Sequence, residues 1–373
     1  MMSDLALYVH IPFCASKCRY CDFLSFAGRS GLINRYINSL SDEISDSYDE
    51  YGGRTVSSIY IGGGTPSLIP EEDIGQILKR IREVYEVRPD AEISIEVNPG
   101  SADAVKLAAY NSFGINRLSI GLQSANDDEL SRIGRIHNRS DFEATYRNAR
   151  ECGFDNINTD LIFSLPGQDK DSFRRTIEYV TGLKPEHISA YSMQLEEGTY
   201  LYEHSDEYEW PNEDEDRDMY HMGVRMMSDA GYGRYEISNF ARPGYECRHN
   251  TVYWRGGEYL GFGIGAASYA GGVRFKNTEV IEEYLKGIRC SESTKLTQAD
   301  MMSEFMFLGL RMSDGISRAG FLEKFGKTMD EVYGRQISSC VRDGLIREDD
   351  EKDRLFLTEK GFDISNYVFA KFL

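Results

Sequence analysis

"LALYVHIPFCASKCRYCDF" (residues 5–23) runs from an apolar segment straight into three cysteines. The apolar segment reads as the first strand of the chain. Three of the seven cysteines then fall at Cys14, Cys18 and Cys21, a C-x3-C-x2-C spacing with no fourth beside them. A structural zinc site wants four ligands, commonly in C-x2-C pairs, and a disulfide wants two. Three thiolates that leave one metal position open suit a [4Fe–4S] cluster whose fourth iron is reserved for another ligand. Zinc completed by a distant cysteine is the competing reading.

Working outward, short apolar runs recur through the first 200 residues: "SSIYIGG" (57–63), "EISIEV" (92–97), "NRLSIG" (116–121), "NINTDLIF" (156–163) and "HISAYSMQ" (187–194). Amphipathic segments separate them. In "IGQILKRIREVY" the apolar residues Ile74, Ile77, Leu78, Ile81, Val84 and Tyr85 make one face of a 3.6-residue helix. Six βα steps predict an α/β fold, a parallel sheet closing into a partial TIM-like (β/α)6 barrel. Barrel chemistry belongs at the C-terminal ends of the strands. The cysteines sit there after the first strand, and "IGGGTP" (61–66) follows the second. Glu96, Gln123 and Asp160 fall at or in the next three strands, with Arg135 twelve residues after Gln123. Polar groups at successive strand ends are what one ligand lying across a barrel mouth requires.

The 373 residues carry a net charge of −19, which argues against a phosphate backbone as partner, so no nucleic acid is expected. No apolar run approaches the roughly 18 residues of a membrane span. "MMSDLALYVH" lacks the basic start and long apolar core of a secretory signal, and a cytoplasmic location is expected. The acidic stretch "EHSDEYEWPNEDEDRD" (203–218) reads as a solvated connection or helix start. Cys152, Cys247, Cys290 and Cys340 are scattered and read as small buried hydrophobes.

Residues 298–373 change pattern: three helical segments precede "GLIREDDEKDRLFLTEKGF", a strand, a polar turn and a strand. This resembles a winged-helix-like α+β module, but a wing tip reading "EDDEKD" would repel DNA. The module is expected to serve packing or protein contact. The expected domains are 1–290 and 291–373.

"CASKCRYC" resembles the signature of the radical S-adenosylmethionine (SAM) superfamily. The resemblance implies that Cys14, Cys18 and Cys21 hold the cluster and that SAM chelates the open iron. An electron from the cluster then cleaves SAM to methionine and a 5′-deoxyadenosyl radical. "YVHIPFC", "GGGTPS", "EVNPG", "IGLQS", "LGRIH" and "DLIFSLPGQ" are similar to the branch containing oxygen-independent coproporphyrinogen III oxidase. By position within these motifs, Tyr8, Tyr20, Gly63, Gly64, Thr65, Glu96, Gln123, Arg135 and Asp160 are implied SAM contacts, and alignment to the same branch outside the motifs adds Gln194 and Ala267. Two departures narrow the resemblance. Phe23 stands where the oxidase motif has a further cysteine, and only seven residues precede Tyr8. Both resemble the heme chaperone group of that branch. So does "CRHNTVYW" (247–254), whose His249 is implied as a heme contact, imidazole being a good axial ligand for heme iron. The implied cofactors are the [4Fe–4S] cluster, SAM and heme. The implied partners are heme and heme-accepting respiratory enzymes at the membrane, and homodimer formation is left open. A radical SAM enzyme acting on a tetrapyrrole, an oxidase or a methyltransferase, is the alternative.

Overall fold

The computed structural model of the chain describes residues 4–349 and 351–373. Its frame is a run of strand–helix units. In chain order these are β1 (Leu5–Ile11), α1 (Ile33–Asp46), β2 (Thr55–Gly63), α2 (Glu71–Val84), β3 (Glu86–Val97), α3 (Ala104–Ser112), β4 (Arg117–Gln123) and α4 (Arg139–Glu151). They continue through β5 (Ile157–Phe163), α5 (Lys170–Leu183), β6 (His187–Ser192) and α6 (Glu213–Asp229). Strands β1 to β6 lie side by side in sequence order, all parallel. This is the expected partial (β/α)6 barrel.

The chain then adds β7 (Gly233–Arg234), β8 (Asn239–Ala241), α7 (Arg248–Trp254), β9 (Tyr259–Phe262), β10 (Ala267–Ala270), β11 (Val273–Asn277) and β12 (Cys290–Lys295). The sheet order is β12-β11-β10-β9-β1-β2-β3-β4-β5-β6-β8-β7. Strand β9 joins β1 in parallel, and the later strands extend that edge antiparallel.

Side chains alternate along each strand with period two. One set is apolar and fully buried: Leu7 and Val9, Ile59 and Ile61, Ile93 and Ile95, Leu118 and Ile120. It packs with the apolar stripes of the helices, including Ile74, Ile77, Leu78 and Ile81 of α2, in a single core. The other set is polar and faces the barrel interior: Ser58, Glu92, Ser94, Arg117, Ser119, Asn158, His187 and Ser189 are all buried. An unpaired buried polar group costs about 1–3 kcal/mol, and most of this interior is hydrogen-bonded, although Ser94 Oγ and Arg117 Nε and Nη1 find no hydrogen-bond partner among the described residues.

Several boundaries differ from the sequence expectation. Strand β3 begins at Glu86 rather than near residue 92, because Glu86 and Val87 pair with Thr55 and Val56 beyond an irregularity in β2. Those leading residues are mostly exposed and carry no apolar alternation. The acidic stretch 203–218 resolves into the start of α6. Asn212 and Glu215 form a capping box, and Glu213, Asp214, Glu215 and Asp216 fill the first turn, where the helix dipole favours negative charge. Cys247 and Cys340 are buried as expected. Cys152 is half-buried and Cys290 is exposed, since Cys290 opens β12, a strand exposed along its whole length.

The C-terminal module comprises α8 (Gln298–Leu310), β13 (Ile316–Ser317), α9 (Arg318–Phe325), α10 (Met329–Arg342), β14 (Ile346–Asp349) and β15 (Arg354–Leu357), with sheet order β13-β15-β14. It has its own apolar core, from Met302 to Phe372. The division expected after residue 290 falls at the first residue of β12. Of the acidic wing tip, Asp350 lies outside the described residues, while Glu348 pairs with Arg318 at 2.6 Å. No described helix is long and apolar enough to cross a membrane.

Candidate functional site

The C-terminal strand ends converge on a cavity of about 460 Å³. Cys14, Cys18 and Cys21 line one wall as free, half-exposed thiols. Each is held by its surroundings. Cys14 Sγ accepts from Thr65 Oγ1 at 3.6 Å, Cys18 Sγ from Arg135 Nη1 at 3.5 Å, and the Cys21 N–H bonds the Cys18 carbonyl at 3.2 Å. Burial pushes the Cys21 thiol up to about 11, so ligation there releases a proton. Among the described residues, no group of three His, Cys, Asp or Glu side chains converges on a single ion. The thiols stand along a wall instead. A cubane cluster takes one thiolate per iron, so this donor set fits it and does not fit a single tetrahedral ion.

Gly63 and Gly64 put the turn after β2 against the cysteine loop. Gly63 has φ +116°, and a Cβ there would meet the His10 ring at 2.6 Å. A Cβ on Gly64 would meet Cys14 Sγ at 3.0 Å and the Phe13 carbonyl oxygen at 2.9 Å. Only glycine lets these two segments approach so closely. Next along the rim, the Gly63 N–H donates to Glu96 Oε2 at 3.0 Å and Tyr60 Oη donates to Oε1 at 3.1 Å. Burial, reinforced by Asp160, raises Glu96 to about 7.

Arg135 is the buried cation of the site, and the exposed Lys17 also lines it. Its Nη2 donates to Asn98 Oδ1 at 2.9 Å and to the Gly121 carbonyl at 3.0 Å, and Nε reaches His137 Nδ1 at 3.4 Å. Burial and Arg135 push His137 down to about 4, which keeps the imidazole neutral. Asn98 also donates to Thr65 Oγ1 at 2.9 Å, tying the glycine turn to the arginine. Gln123, at the end of β4, sits in the left-handed region with φ 69°. A strained non-glycine residue at a strand end marks a constrained site. Asp160 accepts from Ser119 Oγ at 2.9 Å and Asn158 Nδ2 at 2.7 Å, and its burial raises its pKa.

The structure therefore brings Tyr20, Gly63, Gly64, Thr65, Glu96, Gln123, Arg135, Asp160 and Gln194 into one cavity with the three cysteines. Tyr8 and Ala267 do not line it. Tyr8 lies behind its wall, bonding His10 Nδ1 through Oη at 3.0 Å, and Ala267 is an exposed residue of β10. Sequence reasoning missed Tyr60, Asn98, Ser119 and Tyr191, all of which line the cavity. Asn98 was within reach, since it sits in the quoted "EVNPG". The others show only as polar positions in strand alternation.

Comparison with known proteins agrees with this geometry. The radical SAM superfamily model matches residues 8–180, and the HemN C-terminal domain model matches 296–364. Coproporphyrinogen III oxidase (HemN) from Escherichia coli, a radical SAM enzyme, superposes with a TM-score of 0.87 at 25% identity, over 100% of this chain and 90% of that one. The heme chaperone HemW of Bacillus subtilis is 36% identical over 98% of both chains, and that of Escherichia coli is 32% identical over 100% of this chain and 99% of its own.

The chain belongs to the HemW family of heme chaperones.

The motif that first suggested the HemW family at the C-terminal side, "HNTVYW", is placed away from the cavity. It forms α7, which closes the barrel from the opposite end. Glu92 caps the helix, accepting from the Arg248 and His249 N–H groups at 3.1 Å each and from Cys247 Sγ at 3.5 Å. His249 is 1% exposed. Its Nδ1 bonds Ser58 Oγ at 3.1 Å, its Nε2 bonds Tyr253 Oη at 2.8 Å, and its ring stacks on Tyr60 at 5.2 Å. Burial and Arg117 push it down to about 3. With both nitrogens engaged and the ring enclosed, the expected heme contact through His249 is not available in this conformation. Trp254, the last residue of the motif, lies 4.4 Å beneath the Arg311 guanidinium of the C-terminal module. Phe23, by contrast, is 60% exposed on the cavity rim.

Proposed function

We propose that this member of the HemW family carries a [4Fe–4S] cluster on Cys14, Cys18 and Cys21 with SAM beside it, binds heme, and delivers it to heme-requiring respiratory enzymes at the membrane from the cytoplasm. One observation carries the cofactor part: three half-exposed thiols share a cavity with Arg135, Glu96 and Asp160. Cluster and SAM together supply one-electron reducing chemistry when bound.

The chain's own residues divide the binding task. Gly63, Gly64 and Thr65 offer a backbone edge on which the amino-acid end of SAM can lie. Arg135 would neutralise the SAM carboxylate through a charge-assisted contact. Glu96 and Asp160 suit the ribose hydroxyls, each already fixed by two donors. Tyr20, Gln123 and Gln194 complete the enclosure. The C-terminal module from Gln298 onward would serve protein contact and hold α7 in place.

A second reading, a radical SAM enzyme acting on a tetrapyrrole, draws on the superposition with the oxidase. Phe23 at the rim, where the oxidase motif has a further cysteine, favours the chaperone. Titration with hemin decides between them together with product analysis. The proposal expects a saturable Soret band, transfer of heme to heme-depleted membranes, and no decarboxylated porphyrinogen under anaerobic reduction. Absence of heme binding above background, or turnover of coproporphyrinogen, overturns it.

A further inference from the structure

One hydrogen-bonded chain crosses the whole barrel interior. At the closed end, the N–H of Cys247, the N-cap residue of α7, donates to Tyr235 Oη at 3.3 Å. Tyr235 Oη bonds His187 Nε2 at 2.8 Å. His187 Nδ1 bonds Asn158 Oδ1 at 2.6 Å, and Ser189 Oγ donates to the same oxygen at 3.1 Å. Asn158 Nδ2 donates to Asp160 Oδ1 and Ser119 Oγ at 2.7 Å each, and Ser119 Oγ donates to Asp160 Oδ2 at 2.9 Å. Asp160 lines the cavity.

The direction of every bond is fixed by what the groups can do. Asp160 accepts from Ser119 Oγ and Asn158 Nδ2, so the amide of Asn158 turns its NH2 to the carboxyl group and its oxygen to His187. That oxygen takes a proton from His187 Nδ1, which leaves Nε2 as an acceptor. Tyr235 must then be the donor to Nε2, and it can still accept from Cys247. Burial and Arg117 hold His187 well below its usual pKa, consistent with a single neutral tautomer. The other tautomer would set a lone pair of Nδ1 against the Asn158 oxygen.

We propose that Tyr235, His187 and Asn158 are positioning residues through which the seat of α7 fixes the Asp160 carboxylate in the cavity, so that binding of a ribose-bearing ligand there and closure of the barrel by α7 reinforce each other. The ligand part rests on reading the cavity as the SAM site. None of the three touches a thiol, and each acts through its neighbour. The helix that carries His249 is thus reported to the opposite end of the barrel, and any unseating of α7 weakens the cavity.

The test uses the full chain, anaerobically reconstituted with iron and sulfide, with SAM as the probe. His187→Leu removes both the donor and the acceptor at similar volume, while His187→Gln keeps one of each. SAM affinity is expected to fall about tenfold in H187L, to recover most of the loss in H187Q, and to fall about threefold in Tyr235→Phe. SAM is expected to slow amide exchange across residues 248–254 in the wild type and not in H187L. H187L binding within twofold of wild type, or H187Q as weak as H187L, overturns the proposal. A wild type that binds no SAM overturns the reading of the cavity instead. The relay is then decided without ligand: 248–254 must exchange faster in H187L than in H187Q, and equal rates overturn it.

Discussion

The mouth and the floor of the barrel each carry a motif built from residues that ligate metals, and they differ in what is left unbonded. At the mouth, Cys14, Cys18 and Cys21 are half-exposed and receive only long contacts. At the floor, Cys247 and His249 are buried, and every polar atom they offer is engaged by Glu92, Ser58, Tyr235 or Tyr253. Burial pushes Cys247 up to about 12 and His249 down to about 3, so both stay neutral. Residue type proposes a ligand, and free donors in an accessible wall make one. By that criterion the mouth is the candidate binding site and the floor is a plug.

The contrast can be broken by substitution, and the largest effect is expected at the mouth. Replacing Cys18 by Ala should abolish cluster assembly: the reconstituted variant should show background iron and no broad visible absorption, with unfolding stability close to that of the cluster-free wild type. At the floor the same kind of change should act on stability. Glu92→Ala removes the acceptor of three α7 donors and leaves Arg117 buried with less compensation, which should cost about 3–5 kcal/mol in urea unfolding. A cost below about 0.5 kcal/mol, the level of an ordinary surface change, would show that α7 is not a seated plug.

A smaller effect separates the two by pH. Glu96 is raised from 4.5 to about 7 by burial and Asp160, so the folded chain keeps a proton that the unfolded chain loses. Its contribution is fully present below about pH 4.5 and is lost as pH rises to about 7. Relative to Glu96→Gln, the unliganded wild type should therefore lose about 2–3 kcal/mol across that window. Parallel stability curves for the two proteins would contradict this. The smallest effect is expected from Phe23→Cys. Restoring the cysteine of the oxidase motif at an exposed rim position should leave iron stoichiometry and heme binding unchanged and create no oxidase activity.

Much of this arrangement was legible in the sequence, for identifiable reasons. Parallel strands buried on the helix side give apolar runs, so all six were visible from Leu5 to His187. The leading half of β3 was not, because residues 86–90 are mostly exposed and carry no apolar alternation. The cavity residues that sit in turns after strands, such as Gly63, Thr65 and Arg135, were recognisable from motif position. Tyr8 faces the same way as its strand partner Tyr60 yet lies outside the cavity, its hydroxyl held by His10, and Ala267 lies on β10, outside the six barrel strands. His249 shows the limit most clearly. Nothing in "HNTVYW" announces that Glu92, 157 positions earlier, caps its helix inside a barrel. The polar interior was invisible for the same reason: Ser119, Asn158 and His187 become partners only when strands from distant segments are laid in register.

The central claim, that the mouth is a cluster-and-SAM site built on three thiols, is tested most directly by electron paramagnetic resonance of the reconstituted, dithionite-reduced chain with and without SAM. The account predicts about four irons per chain and a reduced-cluster signal whose shape changes when SAM is added. A single bound zinc in place of iron, or a cluster signal that SAM leaves untouched, would contradict it.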